Sequence, residues 1–344
     1  MTNKDENYLR EKEQYLLRSI YVRRKIRTNN CYDVFRSVKD LAENSSEYDR
    51  GDRSCWGISD KAWLNVEQAK LNPLLTFCHP EVLKTNPRFL LYYRSVALLP
   101  QKGFQTIIKK DPAPYENGTK TAENISHEEC QTISSGLNEI ISNTLEQGSS
   151  VTIEEITGMF FAQTGTTIDG SWRNEIGRGG QQAVWRIIAQ ALSEKNEIKS
   201  VKKRARGKEI PAGELKLNGP ESWRDYRSLI LTNGAKIEYS SDPDVLLRNS
   251  QGDLLGAIEV KAGLDKAGAL ERAGAIKNTF DPVHKEYPRA KFILVTSCKT
   301  ESMNETINHL DYHVITYETE RLTAEESQQR KFINHIRNLL GLEH

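Results

Sequence analysis

The sequence predicts an α/β protein, in which a mixed β-sheet flanked by helices follows a largely helical N-terminal region. Three observations carry this. Helical spacing of apolar residues dominates the chain up to Asn196. From Arg227 onward, short β-prone runs follow one another, separated by turn residues. A helical segment, 265-DKAGALERAGAIKNTFDPVHKEY-287, stands between the fourth and fifth of these runs. A chain of 344 residues suits one large domain or two of ordinary size. Two parts are expected, residues 1–165, mainly helical, and residues 166–344, which hold the sheet.

Taken in order, 8-YLREKEQYLLRSIYVRRKI-26 places apolar residues at helical spacing with Arg and Lys between them. Pro73, Pro80 and Pro87 punctuate the next stretch, and 88-RFLLYYRSVALL-99 reads as a buried helix ending near Pro100. Tyr92, Tyr93 and Arg94 within it read as core and snorkelling residues. The polar segment 110–124 carries Pro and Gly and reads as a loop or linker. Helices are expected over 128–147 and 151–165, with a separate one over 181–196 following the glycines of 177-GRGG-180. Strand-like runs follow at 227–232, 236–240, 244–248, 254–260, 291–297 and 312–317, and 324-AEESQQRKFINHIRNLLG-341 is a closing helix. No internal repeat interrupts this order.

Composition excludes several classes. No apolar run approaches the roughly 18–20 residues of a membrane span. The start, MTNKDENYLREKEQ, lacks the apolar segment of a signal peptide, so a cytoplasmic protein is expected. Cys31, Cys55, Cys78, Cys130 and Cys298 are scattered, odd in number and without a CxxC pair, which argues against a disulfide framework or a zinc site. His79, His284, His309 and His313 have no spacing typical of a metal pair. Net charge is +1, so a nucleic-acid binder of this composition must concentrate its positive charge locally. Lys202, Lys203, Arg204, Arg206 and Lys208 do so in 195–209, which otherwise reads as a solvated surface loop.

Charged residues also sit where strands are expected, in 241-SDPDVLLRNSQGDLLGAIEVKAG-263. A turn centred between Gln251 and Gly252 puts Asp244 opposite Glu259, within a residue of register. Residues two apart share a face, so Glu259 and Lys261 point together while Ile258 and Val260 enter the opposite layer. Cross-strand neighbours lie about 5 Å apart at Cβ, so Asp244, Glu259 and Lys261 can converge. Hard oxygen ligands of this kind suit Mg²⁺, with the Val260 carbonyl as an extra donor. Lys261 is then placed to hold or deprotonate an attacking water, or to stabilise developing charge.

Pro243-Asp244 followed by Glu259-Val260-Lys261 on the next strand resembles the PD-(D/E)XK nuclease motif of type II restriction endonucleases. The segment 262-AGLDKAGALERAGAIKNTF-280 is similar to the helix that follows the motif there, and the order from 178 to 297 resembles the family's core. The resemblance implies a restriction-endonuclease-like sheet, with Asp244 and Glu259 as metal ligands and Lys261 as catalytic lysine. It also implies Mg²⁺ as cofactor and double-stranded DNA as substrate. A homodimer and a cognate DNA methyltransferase are the expected partners. A repair or junction-resolving nuclease of the same superfamily, or a non-catalytic DNA-binding protein, is the alternative.

The chain also departs from the pattern. Many relatives carry a further Glu on the helix before the sheet. Here Gln181 and Gln182 stand where it is expected, with Glu175 just before, while Asp242 is a second acid beside Asp244. The helix 265–280 is small-faced. Lys266, Arg272 and Lys277 either lie over phosphates or are the outer charges of a close-packed helix.

Overall fold

A computed structural model describes residues 3–45, 53–148, 151–216, 225–263, 269–297 and 300–342. The chain divides into two units, residues 1–172 and 173–344. This division and the expected one at 165/166 both fall inside one helix, α9 (Ile153–Glu194).

The first unit is helical: α1 (Asn3–Thr28), α2 (Cys31–Asn44), α3 (Asp60–Gln68), α4 (Pro80–Thr85), α5 (Leu90–Val96), α6 (Gln101–Ile108), α7 (Ala113–Glu116), α8 (His127–Glu146) and the start of α9. Ser59 and Ser126 cap α3 and α8 by accepting from Ala62 and Glu129 N–H. Buried Asn138 on α8 holds the segment before α4, accepting from Cys78 N at 2.7 Å and donating to the carbonyls of Cys78 and Trp56, each at 2.9 Å.

Segment 110–124 is not a linker, because α7 lies within this unit, buries Tyr115 and presents Glu116 to Arg94. Arg94 does not snorkel to water. It is fully buried, and its Nε reaches Glu116 Oε1 at 2.5 Å.

The second unit is built on an eight-stranded sheet: β1 (Ile198–Lys203), β2 (Glu209–Pro211), β3 (Tyr226–Leu231), β4 (Lys236–Tyr239), β5 (Val245–Arg248), β6 (Leu254–Lys261), β7 (Lys291–Thr296) and β8 (Val314–Glu318). Spatial order is β2-β1-β3-β4-β5-β6-β7-β8. Pairing is antiparallel through β6 and parallel from β6 to β8. The parallel connections are made by α10 (Ala269–Glu286) and α11 (Glu301–Asn308), and α12 (Thr319–Ala324) and α13 (Glu326–Leu339) end the chain. Val184, Trp185 and Ile188 of α9 and Phe332 and Ile336 of α13 cover one face of the sheet. Ile276 and Phe280 of α10 and Met303 of α11 pack with Ala257, Phe292 and Leu294 on the other.

The structure departs from the expected secondary structure in three places, for identifiable reasons. The basic run 195–209 is an edge hairpin, β1 and β2, because Ile198, Val201 and Ile210 supply buried positions between its charges. Arg204 donates to the carbonyls of Tyr226 (3.3 Å) and Tyr239 (2.8 Å), and Lys203 lies 5.8 Å from the Tyr226 ring centroid. Next, the glycines of 177–180 do not end a helix. Each costs about 1 kcal/mol relative to Ala, but α9 runs through them. The third is α11, too short for its pattern to stand out, whose start is fixed by the Thr300 cap on Met303 N.

Candidate active site

The site begins in the pairing of β5 with β6. The observed partners Val245↔Ile258 and Leu247↔Gly256 continue to Asp244 opposite Glu259, as the turn placement predicts, while a bulge between Leu247 and Arg248 shifts the register only nearer the turn. Ile258 and Val260 enter the layer beneath α9 and α13. Glu259 and Lys261 share the other face with Ala257.

Three of the expected residues do meet. Asp244 N donates to Glu259 Oε2 at 3.3 Å, Val260 N donates to Asp244 Oδ2 at 2.8 Å, and Lys261 Nζ donates to Glu259 Oε1 at 2.5 Å. Asp244 is 5% exposed and Glu259 4%, whereas the Lys261 side chain retains 24%. The cluster is therefore closed at its carboxylates and open at its amine. A residue's N–H and C=O point to the same edge of a strand. The Val260 carbonyl thus lies on the edge where its N–H meets Asp244.

Two carboxylates with one ammonium leave an excess negative charge in a poorly solvated place. Burial, then repulsion from Glu259, pushes Asp244 up to about 7, against the Val260 N–H, Lys261 and the Gln181 amide. Burial also raises Glu259, opposed mainly by Lys261. Both directions say that the bare pair needs further positive charge. Among the described residues no cluster of three or more His, Cys, Asp or Glu side chains could hold a metal. The donor set is instead two carboxylates and a carbonyl, which fits Mg²⁺, an ion that takes one or two carboxylates and keeps several waters.

Gln181 is the residue that the motif did not assign. Its Nε2 donates to Asp244 Oδ1 at 2.6 Å. Its place was the one signal available, since by the resemblance Gln181 and Gln182 stand where a further Glu is expected. Gly180 makes the contact possible, because a Cβ there would sit 2.2 Å from the Ala262 Cβ, and α9 can approach β6 only with glycine.

Glu175 is exposed, pairs with Arg178 at 3.8 Å, and lies about 9 Å from Gln181 along the helix. Asp242 is exposed too, and acts on the site only by its field, which adds to the rise of Glu259. Lys277 is exposed on α10, while Lys266 and the side chain of Arg272 fall outside the described residues.

Residues 65–213 match the XcyI restriction endonuclease family. The chain resembles a type II restriction endonuclease. The matched stretch, 149 of 344 residues, starts in α3 and runs through α9 to β2, ending before the hairpin of Asp244 and Glu259. The family match and the motif thus rest on different residues, and the match takes in residues 65–165 of the helical region that the motif leaves unexplained. It supports a nuclease. No curated protein matches the chain. Among the described residues, no helix is long and apolar enough to cross a membrane.

Proposed function

We propose that the protein is a restriction endonuclease that hydrolyses phosphodiester bonds in double-stranded DNA, sequence-specifically and with Mg²⁺, using Asp244, Glu259 and Lys261. The observation that carries this reading is the convergence of two buried carboxylates and a partly exposed lysine at the open end of β5 and β6. Asp244, Glu259 and the Val260 carbonyl would hold the ion, which would neutralise charge at the phosphate and acidify water.

The chain's own groups supply the rest. Lys261 Nζ holds the attacking water by hydrogen bond and stabilises charge that builds on the phosphate oxygens. Gln181 keeps Asp244 Oδ1 occupied and so fixes the plane of that carboxylate. The biological reading is defence against foreign DNA, with a cognate methyltransferase protecting the host. A homodimer is the natural form for cutting both strands of a two-fold symmetric site. The helical region of residues 1–165 would serve recognition or dimerisation.

The test is digestion of unmethylated phage DNA with Mg²⁺ or with EDTA, comparing wild type, Asp244→Asn and Lys261→Ala. Discrete fragments that need Mg²⁺, with rates reduced by about 10²–10⁴-fold or more in both variants, are expected. A smear would remove sequence specificity. Cutting by either variant within a few-fold of wild type would remove the assigned site.

A further inference from the structure

In the first unit, a basic stretch without acids runs through α1. Between Glu13 and Asp33 there is no acid, while Arg18, Arg23, Arg24, Lys25 and Arg27 supply five cations. Helical spacing sorts them. Lys25 and Arg24 lean over the Tyr21 ring, with centroid distances of 5.5 and 5.8 Å, and Tyr21 is buried against Trp172 and Ser171. Arg18, Arg23 and Arg27 instead face α2, where Tyr32 and Arg36 stand one turn apart. Four guanidinium groups and a tyrosine thus line an open groove of about 660 Å³ with no acid in its wall.

Arg18 is anchored, its Nε 2.6 Å from Asp169 Oδ1. No acid among the described residues pairs with Arg23, Arg27 or Arg36, and all three are exposed. Like charges gathered without counter-charge cost folding energy, and an anionic ligand relieves that cost. The basic run 195–209 differs, because Arg204 is committed to backbone carbonyls and Lys203 lies by Tyr226.

We infer that the groove between α1 and α2 is a binding site for the phosphate backbone of duplex DNA, gripped by Arg23, Arg27 and Arg36 with Tyr32 beside them. This rests on the nuclease reading but adds a surface outside both the motif hairpin and the matched stretch, which begins at residue 65. Duplex DNA is the favoured occupant because guanidinium forks bind phosphate oxygens bidentately, and a regular row of phosphates can engage several at once. Backbone contacts of this kind strengthen binding at every sequence and do not read bases.

The experiment measures binding of the full chain to a mixed-sequence duplex of about 30 base pairs, in EDTA, over a salt series. Wild type is compared with the triple variant Arg23→Gln, Arg27→Gln, Arg36→Gln and with Lys202→Gln, Lys208→Gln. Thermal melting checks that each is folded. The expected result is a salt slope smaller by about 2–3 in the triple variant, with weaker binding at every sequence. The hairpin variant is expected to change less. Cutting by wild type with Mg²⁺ at low salt, lost in Asp244→Asn, tests the nuclease reading separately from the groove.

An unchanged salt slope in a folded triple variant overturns the inference and leaves the nuclease standing. So does a variant that keeps duplex binding but loses binding to phosphatidylserine vesicles, which would make the groove a membrane contact. A wild type that neither binds nor cuts DNA would sink the nuclease reading itself. If the triple variant unfolds, the single variants Arg23→Lys and Arg36→Lys, which keep the charge and lose the fork, are expected to bind with an intermediate loss. Unchanged binding by both would overturn the inference.

Discussion

Arg94 in the first unit and Asp244 in the second are both charged and both nearly shut off from water, yet they are held in opposite ways. Arg94 meets one carboxylate, Glu116, whose other oxygen accepts from Gln101 Nε2 at 3.0 Å, while Arg94 Nη1 donates to the Leu99 carbonyl. Charge there is balanced one for one. Asp244 faces a second buried carboxylate, Glu259, and the nearest cation, Lys261, is committed to Glu259. A balanced pair in a core serves to fix the packing of its neighbours. An unbalanced one has a use only when something positive can arrive.

The largest effect should come from breaking the balanced side. Arg94→Ala leaves Glu116 without its buried partner and should lower stability by about 3–5 kcal/mol. The urea unfolding midpoint measures this. The double variant Arg94→Met, Glu116→Leu should recover most of the loss. If it is no better than Arg94→Ala, the pair is not the reason for the damage.

The unbalanced side should show itself through pH. In the unfolded chain Asp244 releases its proton near the ordinary value of about 3.9, whereas the folded chain holds it up to about 7. Across that window the folded state binds more protons, so stability of the metal-free protein falls as pH rises from about 4 to about 7. Glu259 contributes with the same sign. The fall should reach a few kcal/mol, and Asp244→Asn should flatten it. Equal slopes in the variant and wild type, measured by unfolding in EDTA, would put the pH dependence elsewhere.

The smallest change tests how closely α9 must approach the site. Gly180→Ala forces a Cβ onto Ala262 and should cost about 1–3 kcal/mol. Pairing it with Ala262→Gly should return much of that cost. Failure of the pair to do so would mean that α9 relaxes along some other path.

Much of the second unit was legible because its signals are local. Alternation and turn residues located β3 to β8, and the placement of one turn set Asp244 against Glu259. Where the reading failed, tertiary packing had outweighed a local signal. The glycines at 177–180 look like a break, but the second part of α9 covers the sheet and needs their lack of Cβ at position 180. The charges of 195–209 look like a solvated loop, yet Lys202 and Lys203 take half-buried positions at the end of β1, while Ile198 and Val201 fill the core beneath. Gln181 carried no chemical signal of its own, since a glutamine becomes part of a site only through what lies 2.6 Å away. The groove of α1 and α2 was hidden because helical spacing in one segment does not say which face a second segment will meet.

One consequence concerns the Val260 amide. Most amides in a sheet interior are sealed by a carbonyl of the next strand, but this one is sealed by the Asp244 side chain. Its proton therefore hangs on the charge state of a carboxylate. In a nitrogen–proton correlation spectrum that single peak should follow the site as Asp244 gains a proton, loses it or is engaged by an ion. The backbone thus carries its own reporter, readable without DNA and without turnover.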